Sequence, residues 1–396
     1  MSLRDVPRLL LINTGWTLAL TLASNFLSAW FWDIGTGIVP IVTFYAILFA
    51  VMILCFGAAA KIPRHLPSST LMATGIVLDA IFLGLMLLLR AHARHYYIPL
   101  AILDGTAASF YWLALYVLAS SWVSPDQAHW YNSWTGTLEA LLGLVVPPLS
   151  GWIIASMAGI TGYRLIFAMA LVSLIGPLWL ILRAKSPNQA NDAARLARTP
   201  SFATSFSWKA LLWSFSGLGL RDGVYYFLPG LLLFVISHST VWLGIFAASQ
   251  SALQGSWFWV LGRWPTIGQW PGILWAGAVI SLLALALLWL PLDTATLFAL
   301  GMAISLAYPP FKVALESSAL VAIRRAGYQR PQEMVRRTGE KEVWINSGRL
   351  LGLLLVLGLL LIVPHFRLQS FRWLLALWGI SPIAILITYR NARTRT

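Results

Sequence analysis

Apolar residues run through this chain in long blocks separated by short polar breaks. The blocks fall near 8–30, 38–60, 68–90, 97–121, 132–157, 163–183, 208–236, 239–261, 271–290, 294–318, 343–363 and 369–390. Crossing the hydrocarbon of a bilayer takes about 20 mostly apolar residues per helix, so the pattern predicts twelve membrane-spanning helices. Turn and charge signals mark the breaks, as in Lys61-Ile62-Pro63-Arg64-His65 and Arg263-Trp264-Pro265. Only two connections are long. The first, 184–207, is rich in Ala, Arg, Asn and Ser and divides the chain nearly in half; the second, roughly 319–342, is strongly basic.

Composition agrees with lipid as the solvent. Of the 396 residues, 59% are hydrophobic and only 10% are charged, against about a quarter charged in a soluble domain. The net charge of +14 does not point to nucleic acid, because the cations punctuate apolar runs and form no stripe. They report topology instead. With the N-terminus inside, 19 basic residues fall in inward segments and 5 in outward ones. This predicts both termini in the cytoplasm and an even number of spans. The basic start, Arg4 and Arg8, imitates a signal peptide, but the run behind it is long enough to span and reads as an uncleaved first helix. The single Cys55 excludes an intramolecular disulfide framework.

The halves echo one another. The second and eighth runs both end at Gly before a basic, Pro-containing loop (Gly57; Gly262-Arg263 before Pro265). The fifth and eleventh both open with aromatic-polar segments, Trp130-Tyr131-Asn132-Ser133 and Trp344-Ile345-Asn346-Ser347. The expected organisation is a six-helix bundle at 1–183, a cytoplasmic linker at 184–207 and a second bundle at 208–396, the parallel duplication of transporters that bind between their halves.

Several segments resemble the major facilitator superfamily, in particular prokaryotic members typical of bacilli, over nearly the whole chain. They are Tyr111-Trp112-Leu113-Ala114, Gly162-Tyr163-Arg164-Leu165-Ile166-Phe167, Arg221-Asp222-Gly223-Val224 and Asn346-Ser347-Gly348-Arg349. In the loop after the second run, Gly57 and Arg64 match the superfamily motif, and Lys61 stands where an Asp is usual. Gly143-Leu144-Val145-Val146-Pro147-Pro148-Leu149-Ser150-Gly151 looks like the exporter pattern, with Pro147 in place of the middle Gly. In physical terms it is a small-residue face for close packing with a proline bend. The resemblance implies an all-α fold of twelve helices in two pseudo-symmetric bundles, and a monomer in a plasma or inner membrane.

Charges at membrane depth are expensive, so each needs a partner or a task. Arg221 and Asp222 lie about thirteen residues into the seventh run, roughly 20 Å deep at 1.5 Å per residue. One of them contacts solute or a coupling proton, or the pair ties this helix to another. Tyr225 lies one turn on. Asp104, near the outer end of the fourth run, is a site residue or a solvated gate. Tyr111 and Trp112, further down, stack on a flat solute or pack. Glu139 and Arg349 occupy matching depths in the fifth and eleventh runs and, with Lys61 and Arg64, are the gating or coupling candidates. Lys312 and Glu316, spaced i, i+4, are expected to pair near the inner end of the tenth run. Asp79 is expected to make a structural hydrogen bond. Most of the 21 tryptophans sit near run ends as an interfacial belt; Trp16, Trp112 and Trp257 are deep enough to consider as site residues.

These readings favour secondary transport by alternating access, of a small, amphipathic or aromatic solute. Export driven by proton antiport would require Asp222, Glu139 or Asp104 to titrate. A flippase on the same fold is the alternative. A membrane-embedded enzyme is disfavoured, because the six histidines lie in loops or at run ends without metal-ligand or His-acid spacing. No P-loop is present. No cofactor or metal is expected, with the proton as the only candidate coupling ion, and the partners are the solute and the bilayer.

Overall fold

The computed structural model describes residues 5–61, 67–123, 125–184, 207–263, 269–329, 331–362, 375 and 381–393. The described elements are helical throughout. In the first half they are α1 (Asp5–Asp33), α2 (Ile38–Lys61), α3 (Ser68–Leu89), α4 (Tyr97–Trp122), α5 (Pro125–Ala155), α6 (Thr161–Ser173) and α7 (Ile175–Leu182). The second half holds α8 (Trp208–Tyr225), α9 (Leu228–Ser237), α10 (Thr240–Arg263), α11 (Trp270–Ala284), α12 (Thr294–Gln329), α13 (Pro331–Ile362) and α14 (Ser381–Arg393). Among the described residues, ten helical stretches are long and apolar enough to cross a membrane. The chain is a multi-pass membrane protein. The 24-residue α10 is not among the ten, since Ser249, Gln250, Ser251 and Gln254 dilute its apolar character. The twelfth expected run is described only at Leu375 and from Ser381.

Two expected single helices are broken, and prolines account for both breaks. Proline lacks an N–H and its ring crowds the carbonyl four residues back. Pro177 sits in the first turn of α7, and the sixth run breaks at Leu174. Pro229 is the second residue of α9, a position that tolerates proline, and the seventh run breaks at Tyr226-Phe227 just ahead of it. The second break takes Tyr226 and Phe227 out of regular helix at membrane depth, just after Arg221-Asp222 and Tyr225. At the start of α12, the Thr296 N–H donates to Asp293 Oδ1 at 2.8 Å. This N-cap holds the exposed carboxyl of Asp293 below its usual range.

Helix pairing repeats between the halves. In the first, α1 packs on α5 and α6, α2 on α4, and α3 on α4 and α6; in the second, α8 packs on α13 and α14, α10 on α12, and α11 on α12 and α14. Each pair of the second set is the six-run counterpart of one in the first. The halves meet along two seams, α2 against α13 and α5 against α10. Contacts also fix the direction of the helices. Asn13 of α1 meets Glu139 of α5, while Asp33 at the end of α1 meets Tyr163 at the start of α6, which follows α5, so α1 and α5 run in parallel. Gly255–Ala140 and Thr240–Gly151 run α10 antiparallel to α5, and α12 beyond its midpoint meets the end of α14 (Ser318–Tyr389). The first helix therefore begins, and the last ends, on one side, called here the terminal side; the opposite end is the far side.

Small residues let these helices approach. A Cβ on Gly219 would collide with the Ile345 carbonyl, one on Gly223 with the Arg349 carbonyl, and one on Gly348 with the Ser216 carbonyl. The α8–α13 crossing is thus a backbone-to-backbone contact of the kind small residues give in membranes, and it sets Asp222 and Arg349 near one another. Gly219→Ala and Gly348→Ala should each cost about 1–3 kcal/mol, seen as a lower Tm in detergent. Gly84→Ala, where a Cβ meets nothing within 4 Å, should leave Tm unchanged.

Candidate functional site

At the far side, aromatic rings from both halves close the space between them. Tyr45 of α2 stacks on Phe227 with ring centroids 4.5 Å apart and meets Tyr226 edge-on at 5.9 Å. Phe49 reaches Tyr226 at 6.4 Å. Below this plug lies a cavity of about 100 Å³, lined by Ser24, Asn25 and Tyr45 of the first half and by Tyr225, Phe246 and Gln250 of the second. It is below the ~300 Å³ at which small-molecule sites begin, so at this level the halves are closed. Among the described residues α1 packs on α9 and α10 here, whereas α4 has no extended packing on α12 or α13 toward the terminal side.

One turn below the plug is a layer of charge. Arg221 has 2% of its side chain exposed and Asp222 11%, and they pair at 3.1 Å. The other Arg221 amino group donates to the Ile304 carbonyl at 2.9 Å, and the guanidinium lies over the Tyr225 and Tyr308 rings at 5.3 and 5.6 Å. Arg349 donates to Asn346 Oδ1 at 3.0 Å and stacks over Phe49 of the other half at 5.3 Å. The Lys312 ammonium lies 5.5 Å from the Tyr308 ring and 6.0 Å from the Phe258 ring. Its side chain is exposed, and the Tyr308 ring that it meets also lies under the Arg221 guanidinium, which sets Lys312 beside the Arg221–Asp222 pair.

The first half holds its polar groups in a chain of hydrogen bonds. The Trp16 indole N–H donates to Asp79 Oδ2 at 2.6 Å, and its ring stacks on Tyr111 at 3.8 Å. The Tyr111 hydroxyl donates to Asn13 Oδ1 at 3.1 Å, and the Asn13 amide donates to Glu139 Oε1 at 3.2 Å. Asp79 and Asp104 line a separate cavity of about 50 Å³ beside Trp16. Toward the terminal side, Lys341 pairs with Glu316 at 2.8 Å and Glu342 at 3.2 Å. Its ammonium lies 5.4 Å from the Tyr116 ring of α4, a contact that joins the halves.

No family model matches the chain. It is 22% identical over 351 residues to the uncharacterized protein YqgE of Bacillus subtilis (strain 168), covering 87% of this chain and 80% of that one. Among solved structures, it is similar to a bacterial homologue of the iron transporter ferroportin in the inward-facing state. The TM-score is 0.67 at 15% identity, over 100% of both chains. The Escherichia coli fucose:proton symporter follows, with a TM-score of 0.61 at 13% identity over 100% of this chain and 99% of that one. The chain has the major facilitator fold.

Within this fold, the candidate residues separate by depth and exposure. Arg221 and Asp222 pair within the second half, where the Gly223–Arg349 crossing brings Arg349 beside them; Glu139 is held by Asn13 in the first half, and Tyr225 lines the far-side cavity. Asp104 lies apart, in the first half with Asp79, whose hydrogen bond to Trp16 is the structural one expected. Tyr111 is fully buried against Trp16, whereas Trp112 is half-buried and stacks on Tyr116. Gly143, Pro147, Pro148 and Gly151 form the α5–α10 seam: Gly143 faces Ser251, Gly151 the Thr240 carbonyl, and Gly244 the Pro147 carbonyl and Pro148. Arg64 and the Lys61 side chain lie outside the described residues.

One expectation is corrected: Lys312 and Glu316 do not form the i, i+4 pair, because Glu316 bonds Lys341 of α13 with both oxygens. Lys312 lies near the middle of α12, which continues through Pro309-Pro310 to Gln329. Glu139 and Arg349, at matching depths, do not pair with each other; each takes an Asn amide group. The Arg221–Asp222 pair is a third arrangement, in which neighbours in sequence neutralise one another. The far-side plug and Lys341 went unremarked in the sequence, where single aromatics in apolar runs carry no signal of their own. Breaking a buried pair by removing one partner costs about 3–5 kcal/mol, and the partial exposure of Glu316 reduces that. Lys341→Met should still lower Tm clearly more than Arg336→Met, whose contact with Glu340 is exposed and worth under about 1 kcal/mol.

Proposed function

We propose that this protein is a secondary transporter that carries a small, amphipathic or aromatic solute by alternating access. The observation that carries this reading is the layer of charge at membrane depth, next to a contact between the two halves that is made of aromatic rings. The halves, 1–183 and 208–396, rock about the α2–α13 and α5–α10 seams. In the state described, Tyr45, Tyr226 and Phe227 close the far side. In the opposite state the plug parts and α4 closes on α12 and α13, with Tyr116 and Lys341 as the first contact already in place.

The excess of basic residues on the terminal side favours termini in the cytoplasm of a prokaryotic cell, and on that reading the aromatic plug is the outer gate. Export with proton antiport is the direction and coupling that the α5 motif and the membrane-depth acids favour. Asp222 and Glu139 border the space between the halves and are the groups through which a proton would act on solute binding. The neighbours' titles name a homologue of an iron transporter and a fucose:proton symporter, and solute-moving proteins on this fold support transport here.

Spin-label distances test the rocking. In a Cys55→Ser background, one pair at Thr36→Cys and His238→Cys reports the far side, and a second at Val123→Cys and Gln269→Cys the terminal side. The expected result is two populations in which one distance lengthens as the other shortens. Tyr45→Ala with Phe227→Ala removes the plug and should enrich the far-open population several-fold, because stacked aromatic pairs contribute about 0.5–1.5 kcal/mol beyond their burial. A single fixed distance for each pair under all conditions would exclude alternating access.

A further inference from the structure

The charged layer also specifies what it receives. We propose that the solute is an organic anion whose carboxylate or phosphate group is held between Lys312 and Arg349. This inference rests on the transport reading above and names its substrate class.

The argument is one of unused capacity. Each carboxylate near the layer already has a donor: Asp222 takes Arg221, Glu139 takes the Asn13 amide, and Glu316 and Glu342 take Lys341. The cations are not matched in the same way. Arg221 is committed to Asp222 and the Ile304 carbonyl. Lys312 and Arg349 have no carboxylate within 4 Å among the described residues; Lys312 interacts with Tyr308 and Arg349 bonds Asn346. An ammonium offers three donors and a guanidinium five, so most of the open hydrogen-bonding capacity facing the space is cationic.

Such groups are costly at membrane depth unless paired. Aromatic faces of Tyr308, Phe258 and Phe49 contribute cation–π attraction, which does not equal a full counter-charge. An entering oxyanion supplies that charge: its oxygens accept from Lys312 on α12 and Arg349 on α13, and the surrounding rings accept an apolar or aromatic body. A divalent cation would need clustered ligands, and among the described residues no group of three or more His, Cys, Asp and Glu side chains is placed to hold one. The fold shared with a homologue of an iron transporter therefore does not carry its cargo chemistry to this layer.

The test uses the full chain in nanodiscs, with benzoate and phenyl phosphate as anionic probes, benzylamine as the matched cation, and Mn²⁺. Binding is read by thermal shift and by tryptophan fluorescence titration. The anions should bind and benzylamine and Mn²⁺ should not. Lys312→Met and Arg349→Met should each weaken anion binding roughly 10-fold or more, the loss of a charge-assisted hydrogen bond. Lys312→Arg, which keeps charge and donors, should retain binding and guards against a merely misfolded Met variant. Benzoate and phenyl phosphate probe carboxylate and phosphate separately, so their order of affinity names the group. Binding of Mn²⁺ or benzylamine that Glu139→Gln or Asp222→Asn abolishes would overturn the proposal, as would anion binding indifferent to Lys312→Met, or no anion binding at millimolar concentration. Anion binding with fixed spin-label distances would leave the ligand class standing and remove the transport reading; exchanging distances without anion binding would do the reverse.

Discussion

An ionised side chain placed at the centre of a bilayer costs about 2.5–3.5 kcal/mol even on the mildest scale, and that penalty organises this structure. Asp79, Asp104, Glu139, Asp222, Lys312, Lys341 and Arg349 all lie on helices that cross or enter the membrane. They are turned toward other helices, paired in some cases and held by amides, indoles or aromatic faces in others. Turning them inward requires helices that pack closely enough to exclude lipid from the charged layer. The Gly219, Gly223 and Gly348 contacts between α8 and α13 do this beside Asp222 and Arg349. The charges thus need the bundle, and the bundle's closest approaches occur where the charges are.

The same arrangement leaves room for movement. The two seams between the halves, α2 with α13 and α5 with α10, run along small residues and prolines, and neither contains an inter-half salt bridge among the described residues. Inter-half contacts outside the seams are rings on rings or a cation on a ring, as with Tyr45 on Phe227 and Lys341 on Tyr116. Contacts of this kind contribute about a kilocalorie each and are made and broken without stranding a charge. The strong pairs, Arg221–Asp222 and Lys341–Glu316–Glu342, are each confined to the second half. A rocking motion would carry them along intact.

Much of the fold is legible in the sequence because a bilayer imposes a simple rule: each crossing is a long apolar block, and the cations mark one side. The breaks at Leu174 and Tyr226-Phe227 are marked by Pro177 and Pro229 only for a reader who knows that the run continues past them. The candidate site was legible in part. Arg221, Asp222, Glu139 and Arg349 are conspicuous because a charge in an apolar run has few explanations. Their partners were not, since Asn13 meets Glu139 across 126 positions and nothing local to either residue predicts it. The partner of Glu316 was not legible for the same reason: Lys312 stands one turn away on its own helix, whereas the bond Glu316 makes is to Lys341 of α13, 25 positions on.

The account depends most on Lys312 facing a space that opens to one side, and side-specific labelling measures this directly. Lys312→Cys in a Cys55→Ser background would be treated, in sealed vesicles of known orientation, with a membrane-impermeant maleimide. The structure predicts modification from the side that carries the termini and protection from the far side, where Tyr45, Tyr226 and Phe227 close the path. Modification by a lipid-soluble maleimide alone, with the impermeant reagent excluded from both sides, would put Lys312 against lipid or in a packed interior and contradict the account.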